Sequence, residues 1–470
     1  MRRPISRERD DTTREHRPEP PPAIHPLLAL QSAIGNHAVA RYVDTRRAEE
    51  NAQTTDGQPL APYYAWTKEE VRPIQRELKR LRLYKLGLDG ILGKGSEMGL
   101  VEAFGGDEWR NLDSATVLTR LTAAQRPKAG SGHDLRYGEL FKDGLLDLTF
   151  GYGFMEELGP AEWAQYAQDI EDALKARGYS EDAKRAAELY QAAGRQNATG
   201  FGRFFVKEVA LNYAPPAGPA RPIPAIVRFI MNPGGDKGVE ARQAFEEGMT
   251  QGDAAYYSGH GRYGSGPDFD RNFGKFTLLD KNGDVEQVID DYEVLGQVLA
   301  KEGGGAWARF LWRWDHNRIQ VDFSNAGNLR LNAKNKHPEE FGGKLINWAM
   351  DQTGQTAATG PGGELATQAA ANPDRKYRVL VFDGCRTQDY EGAIRKTEGF
   401  DTKSADVIET RRTVGFGAEA EAFCAFLDGL VGQQSAEDVV KGMNEEMKGN
   451  EEGYAGAPYV GSGFGDNLSR

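Results

Sequence analysis

Cysteine is scarce in this sequence, which contains only Cys385 and Cys424 in 470 residues. The two thiols stand in contexts that resemble neither a disulfide framework nor a zinc knuckle, and this usage favours a reducing compartment. Most of the histidines also lack a recognisable metal-ligand spacing: His16, His25, His37, His133, His316 and His337. We therefore predict no metal site and no cofactor.

Long apolar runs are missing as well. No stretch reaches the roughly 18 uninterrupted apolar residues that a membrane helix requires. The charged start, MRRPISRERDDTTREHRPEPPPA, has no apolar region behind it of the kind found in a signal peptide. A basic excess is lacking too, since 70 acidic residues face 58 Lys and Arg and the formal charge is −12. We expect no membrane span, no signal peptide and no nucleic-acid partner.

Residues 1–60 are predicted to form a disordered leader that contains one short helix. Residues 1–25 are rich in Arg, Glu and Pro and poor in apolar side chains. In the following segment, apolar residues recur at helical spacing: Leu27, Leu30, Ile34 and Ala38. Its sequence LALQSAIGNHAVARYV resembles a segment near the start of many bacterial proteins associated with extracellular contractile injection systems. The alternative interpretation is a linker helix that docks on the next domain.

Residues 61–128 are predicted to form a small helical domain. One helical stripe contains Val71, Ile74, Leu78 and Leu81, a glycine-rich turn spans 88–93, and a second helical period runs from Met98 to Phe104. The pattern resembles the peptidoglycan-binding-like domain, and four residues match its motifs: Gln75, Asp89, Gly90 and Gly93. The resemblance implies docking on the cell wall. The alternative is that the aspartate and the glycines only form the turn.

Residues 133–450 alternate apolar strands with amphipathic helices, which predicts an α/β domain with a mainly parallel sheet flanked by helices. The predicted strands are 145–150, 204–213, 223–230, 254–258, 377–382 and 405–408 with 413–416. The predicted helices are 160–177, 240–249, 419–430 and 436–447, the last of them capped by Ser435. An insertion at about 265–376 separates the two halves of the sheet, and residues 451–470 are expected to be a flexible tail.

Two predicted strand ends carry residues with chemical potential. Ser258-Gly259-His260-Gly261 follows one strand, and Asp383-Gly384-Cys385 follows another. Because the reactive edge of a parallel sheet lies at the carboxyl ends of its strands, both motifs are expected to open onto one crevice. A neighbouring imidazole turns a thiol into a nucleophile, and glycines let backbone N–H groups approach a developing oxyanion. The sequence therefore predicts a cysteine–histidine catalytic pair.

These motifs resemble the caspase-like superfamily of cysteine peptidases, whose marks are SGHG after one strand and D-x-C after the next. The resemblance implies that His260 is the general acid/base, Cys385 the nucleophile, and the N–H groups of Gly261 and Cys385 the oxyanion donors. It also implies a protein or peptide substrate. The insertion makes the chain between the two motifs far longer than in compact members of the superfamily. Cys424, in the apolar helix EAFCAFL, is interpreted as a core residue.

Asp383 has two interpretations. In relatives that cut after Arg or Lys, the aspartate two residues before the cysteine helps to form an acidic substrate pocket, which implies a preference for basic residues. The alternative is that Asp383 caps the turn or braces the loop.

Three further patterns are interpreted as structural. Gly259-x-Gly261-x-x-Gly264 matches a dinucleotide fingerprint, but no helix opens after it. The segment 280–284, DKNGD, predicts a hairpin turn rather than a calcium site, because Asn-Gly is a strong hairpin signal. The aromatic cluster of Trp307, Phe310, Trp312 and Trp314 is expected to pack in a core, with part of it available to line a substrate cleft.

Taken together, the resemblances imply a caspase-like cysteine endopeptidase that is a bacterial toxin or effector. It is expected in the bacterial cytoplasm, loaded into a contractile injection particle and delivered to a target cell. Two alternatives stay open. One is an inactive adaptor that has kept the scaffold for binding, and the other is a hydrolase of peptidoglycan cross-links anchored by the helical domain.

Overall fold

A computed structural model describes residues 62–84, 86–124, 135–155, 158–195, 200–260, 266–302, 306–323, 327–329, 377–385, 387–395, 400–401, 404–411, 419–447 and 458–462. The leader helix, residues 125–134, the strand predicted at 413–416 and Gly261 lie outside these ranges. The chain divides into two units, Met1–Tyr64 and Ala65–Arg470, and all the elements labelled below belong to the second unit.

An eight-stranded mixed sheet forms the centre of this unit. Its strands are β1 (Leu146–Tyr152), β2 (Ser180–Glu181), β3 (Arg203–Tyr213), β4 (Arg221–Met231), β5 (Ala254–Ser258), β9 (Arg378–Asp383), β10 (Ala405–Thr410) and β11 (Tyr459–Ser462). The spatial order is β11-β10-β9-β5-β1-β4-β3-β2. Five central strands, from β10 to β4, are parallel, while β11, β3 and β2 pair antiparallel at the two sides. The predicted mainly parallel α/β sheet is therefore confirmed.

Helices cover both faces of the sheet. Successive side chains of a strand point to opposite faces, and in the central strands both sets are buried. On β5, Tyr256 packs with α5 (Pro160–Ala176), α11 (Glu419–Val431) and α12 (Ala436–Met447). On the same strand, Tyr257 packs on the other face with α7 (Gly238–Gln251) and α10 (Glu391–Ile394). A further helix, α6 (Ala183–Ala192), covers Ile226 of β4. The central strands are buried on both faces, which explains why they appear in the sequence as continuous apolar runs.

The two sides of the sheet add detail that the sequence did not predict. The predicted strands 204–213 and 223–230 are both present; β4 joins the parallel strands through β1, and the short connection between β3 and β4 returns the chain antiparallel. The flexible tail expected at 451–470 contains β11, which pairs with β10. Tyr459 at its start is buried, and Asn444 of α12 bonds both its N–H and its carbonyl.

In the described part of the chain, four α-helices precede the sheet: α1 (Lys68–Arg80), α2 (Lys94–Phe104), α3 (Ser114–Ala123) and the short α4 (Tyr137–Leu140). Thr67 and Glu70 form a capping box at the start of α1, and Asp113 caps α3. The side chain of Gln75 bonds the turn between α1 and α2, donating to Asp89 and accepting from the N–H of Gly90. The motif residues Gln75, Asp89 and Gly90 thus contact one another and fix the turn.

The insertion contains a three-stranded antiparallel sheet in the order β7-β6-β8, formed by β6 (Asn272–Leu279), β7 (Val285–Asp291) and β8 (Ile319–Asp322). Two helices, α8 (Tyr292–Glu302) and α9 (Ala306–Asp315), pack on it. The predicted hairpin turn is confirmed, since Asp280 accepts from the N–H groups of Asn282 and Asp284 between β6 and β7. In the described ranges, no helix is long and apolar enough to cross a membrane.

Candidate active site

His260 and Cys385 follow neighbouring parallel strands at the same edge of the sheet. Strand β5 pairs with β9, and Ser258 stands opposite Asp383 in the register. The pairing continues one residue further, because the N–H of Gly259 donates to the carbonyl of Asp383 at 2.9 Å. His260 and Cys385 are therefore each two residues beyond the same register pair. The structure brings the two predicted catalytic residues to one end of one strand pair.

The carboxylate of Asp383 lies beneath this edge and is 3% exposed. Its Oδ2 accepts hydrogen bonds from the Tyr256 hydroxyl at 3.2 Å and from the Ser258 hydroxyl at 3.1 Å. These contacts tie β9 to β5 at the positions where both strands end. They are the contacts expected of a bracing residue, and they also set a buried negative charge two residues before the thiol.

Buried tyrosines surround this carboxylate. Burial, and next the charge of Asp383, raise the pKa of Tyr256 well above its ordinary value. The same two causes act in the same order on the pKa of Tyr459, which lies on β11. Burial also raises the pKa of Tyr152 at the end of β1, with Glu419 and Asp383 adding to the shift. The phenols therefore stay protonated and can donate hydrogen bonds to carboxylates.

The turn that carries Cys385 is held by two threonines that the sequence analysis did not single out. The Thr387 hydroxyl donates to the carbonyl of Phe382 at 2.6 Å, and the Thr410 hydroxyl donates to the carbonyl of Gly384. The N–H of Thr410 in turn donates to the Thr387 hydroxyl at 2.9 Å. No short sequence motif joins these residues, because they meet only when β9 and β10 pair.

The two cysteines occupy different environments, and neither forms a disulfide. Cys385 is partly exposed at the sheet edge, whereas Cys424 is 3% exposed on α11. Burial raises the pKa of the Cys424 thiol to about 11. It borders a groove of about 450 Å³ whose other lining residues include Asp169, Asp172, Glu421 and Asp428. A protonated thiol beside carboxylates is a poor nucleophile, which agrees with the interpretation of Cys424 as structural.

The aromatic cluster of the insertion divides between core and surface. Phe310 is fully buried in the core of the insertion and Trp314 packs against that core. Trp312 is 47% exposed, stacks on His316 with ring centroids 4.4 Å apart, and lies beneath the guanidinium of Arg318. The predicted core packing is confirmed for Phe310 and Trp314. The side chain of Trp307 lies outside the described part of the structure.

Comparisons of the chain with family models, with curated proteins and with solved structures find no match. Among the described residues, no group of three or more His, Cys, Asp or Glu side chains is arranged to hold a metal ion. The edge of the sheet itself offers three chemical groups: a partly exposed thiol, an imidazole at the equivalent position beyond the neighbouring strand, and backbone N–H groups beside glycines.

Proposed function

We propose that the chain is a cysteine endopeptidase of the caspase-like type, with Cys385 as nucleophile and His260 as general acid/base. The observation that supports this most directly is the register of β5 and β9, which puts both residues two positions beyond Ser258 and Asp383. The order of the motifs, SGHG after one strand and D-x-C after its neighbour in the sheet, is that of the superfamily that the sequence resembles.

In the proposed reaction the Cys385 thiolate attacks the carbonyl carbon of the scissile peptide bond. The N–H groups of Cys385 and Gly261 would stabilise the oxyanion that develops on the carbonyl oxygen. His260 gives its proton to the departing amine, leaving a thioester on Cys385. Water, deprotonated by His260, then hydrolyses the thioester and releases the acid product with the thiol restored.

A finer part of the proposal concerns delivery and docking. The resemblance of the leader favours a toxin or effector that a contractile injection particle carries to its target cell. The resemblance of the α1–α2 turn favours a peptidoglycan-binding-like domain there. The contacts of Gln75 with Asp89 and Gly90 fix the geometry of this turn, which concerns its fold and not its ligand.

The first prediction is that an electrophilic peptide probe labels Cys385 and not Cys424, because only Cys385 is both exposed and placed beside an imidazole-bearing strand. We expect Cys385→Ala to abolish labelling and His260→Ala to slow it strongly. Cys424→Ala is the matched control and should label like the natural chain.

Equal labelling of Cys385→Ala would refute the proposed function. Labelling without cleavage of any protein or peptide would favour the inactive adaptor. Release of muropeptides from purified cell wall, with no cleavage of ordinary peptides, would favour the cross-link hydrolase.

A further inference from the structure

Two stretches of the insertion come together close to His260. Residues 267–272, at the start of the insertion, run antiparallel to residues 327–329, which follow its small sheet. The N–H of Leu329 donates to the carbonyl of Pro267 at 2.7 Å, and the N–H of Phe269 donates to the carbonyl of Gly327 at 3.1 Å. Asp268 and Asn328 form a β-bridge between them. We call residues 267–272 and 327–329 the insertion base.

The insertion base is fixed to the end of the large sheet. The N–H of Phe154, just beyond β1, donates to the carbonyl of Asp268 at 2.8 Å, and the side chain of Asn232, just beyond β4, donates to the carbonyl of Phe269 at 2.7 Å. The ring of Phe269 is fully buried and packs on Tyr257 with centroids 5.6 Å apart. The base is therefore part of the wall beside the candidate site.

The hydroxyl of Tyr257 joins this base to the candidate catalytic histidine. It donates to the carbonyl of His260 at 2.9 Å and accepts from the N–H of Asp268 at 3.1 Å. Tyr257 is fully buried on the α7 face of β5. One hydroxyl thus serves both the residue that carries the imidazole and the first strand of the insertion base.

Two glycines leave the space that the hydroxyl fills. A Cβ atom on Gly153 would lie 2.2 Å from the Tyr257 oxygen, and one on Gly259 would lie 2.8 Å from it. Gly259 also has a φ of +151°, a conformation that side-chain-bearing residues rarely adopt. The backbone before His260 can therefore approach β1 closely only because these positions are glycine.

From these contacts we infer that Tyr257 is a positioning residue, which holds His260 in register with Cys385 and couples it to the insertion. The inference rests on the proposed function. A displaced histidine would still bind a proton but would no longer stand beside the thiol, so the loss should fall on the chemical step. Misplacement of a catalytic group by about 1 Å can cost on the order of a hundredfold in rate.

Tyr257→Phe removes only the hydroxyl and tests the inference. The matched control is Tyr190→Phe, which removes another buried hydroxyl, bonded to Asp147 at the amino end of β1. For each variant we would measure the rate of iodoacetamide alkylation of Cys385 from pH 5 to 9, kcat and KM on a cleaved peptide, and the melting temperature. We expect Tyr257→Phe to lose alkylation at low pH, as His260→Ala should, and kcat to fall about ten- to a hundredfold with little change in KM.

A second variant, Gly153→Ala, places a methyl group where the hydroxyl lies and should reproduce the effect with every tyrosine retained. It also serves if Tyr257→Phe folds poorly. An alkylation profile of Tyr257→Phe that matches the natural chain, with His260→Ala clearly different, would overturn the inference and leave the proposed function standing. If His260→Ala itself matches the natural chain, the proposed catalytic pair fails, and the role of Tyr257 fails with it.

Discussion

At the scale of single residues, the edge of the sheet combines one buried carboxylate with several buried hydroxyls. Asp383 accepts from Tyr256 and Ser258, and Thr387 and Thr410 bond the strand end that precedes Cys385. Breaking one hydrogen bond of such a network is costly in folding free energy, because the buried group that loses its partner cannot bond water instead. The thiol and the imidazole are therefore carried by a rigid frame.

A prediction about substrate choice follows from Asp383. If its charge faces the primary substrate pocket, peptides with Arg or Lys before the scissile bond should be cut about ten- to a hundredfold faster than peptides with Asp there, which corresponds to roughly 1 to 3 kcal/mol. Asp383→Asn should remove most of that preference. The measurement is kcat/KM over a peptide library, with Asp406→Asn, a buried carboxylate near the start of β10, as the control.

A library preference for Asp or for uncharged residues would remove Asp383 from the pocket and leave it as a brace between β5 and β9.

The residue-scale roles were only partly predictable. His260, Cys385 and Asp383 stand in short motifs at the ends of predicted strands. Their position at a strand end can be predicted without knowing which strands are neighbours in the sheet. Tyr257, Thr387 and Thr410 have no such motif. Tyr257 bonds Asp268, and Thr410 bonds Gly384. These partners come together only in the folded chain, through the sheet and the insertion base.

At the scale of elements, the apolar pattern predicted the central strands and the helices that cover them, often to within two residues. The predicted strand 254–258 and helix 436–447 have the observed bounds. The pattern missed β11 because its four residues, Tyr-Val-Gly-Ser, are few and include a glycine. It did not predict a direction for β3, because neighbouring strands leave the same apolar signature whether they pair parallel or antiparallel.

The cap of α12 permits a stability prediction. The Ser435 hydroxyl accepts from the N–H of Asp438 at 3.1 Å and donates to its carboxylate at 2.7 Å. We expect Ser435→Ala to lower the free energy of unfolding by about 1 kcal/mol, as the loss of an N-cap usually does. Urea denaturation would measure it. Ser435→Thr keeps the acceptor and should cost clearly less; an equal loss in both variants would assign the effect to packing instead.

At the scale of the whole molecule, the helices α1–α3 belong to the same unit as the large sheet, and α2 packs on the segment before β1 through buried charges. Glu102 of α2 accepts from the N–H groups of Gly138 and Glu139, and it lies 3.8 Å from Arg136, which also bonds Glu139. Gly138 approaches α2 so closely that a Cβ there would lie 2.6 Å from the Cα of Glu102. A boundary between 61–128 and 133–450 was expected in the sequence, yet across it the two parts share a buried ionic contact.

This contact predicts a pH dependence. Burial raises the pKa of Glu102 to about 7, opposed by Arg136 and reinforced by Glu139. The folded state disfavours the ionised form of Glu102. The cost in folding free energy of ionising it is therefore absent below the ordinary pKa of the carboxyl and fully present above pH 7. Glu102 should therefore lower the free energy of unfolding by up to about 3 kcal/mol as the pH rises from 4.5 to 7.

Urea unfolding of Glu102→Gln at several pH values between 4.5 and 8 would measure this contribution. We expect the free energy of unfolding of the variant to fall less steeply with rising pH than that of the natural chain. The nearby groups that also carry charge or titrate, Arg136, Glu139, Lys142 and Tyr213, are unchanged in that variant. Glu108→Gln, whose side chain is 41% exposed, is the control and should keep the natural slope. A parallel slope for Glu102→Gln would show that Glu102 stays ionised over this range.

The insertion base also bears on which changes of length the chain would tolerate between Asn272 and Gly327. The N–H of Gly327 donates to the carbonyl of Asn272 at 3.3 Å, so the polypeptide leaves and returns at nearly the same point. The segment between those two residues begins and ends at adjacent positions, so the large sheet does not fix its length. A short loop or a foreign domain with closely spaced termini could be grafted there without changing the strand register. A sensor domain inserted after Asn272, 12 residues beyond His260 in the chain (272 − 260), could therefore act on the candidate site through the insertion base.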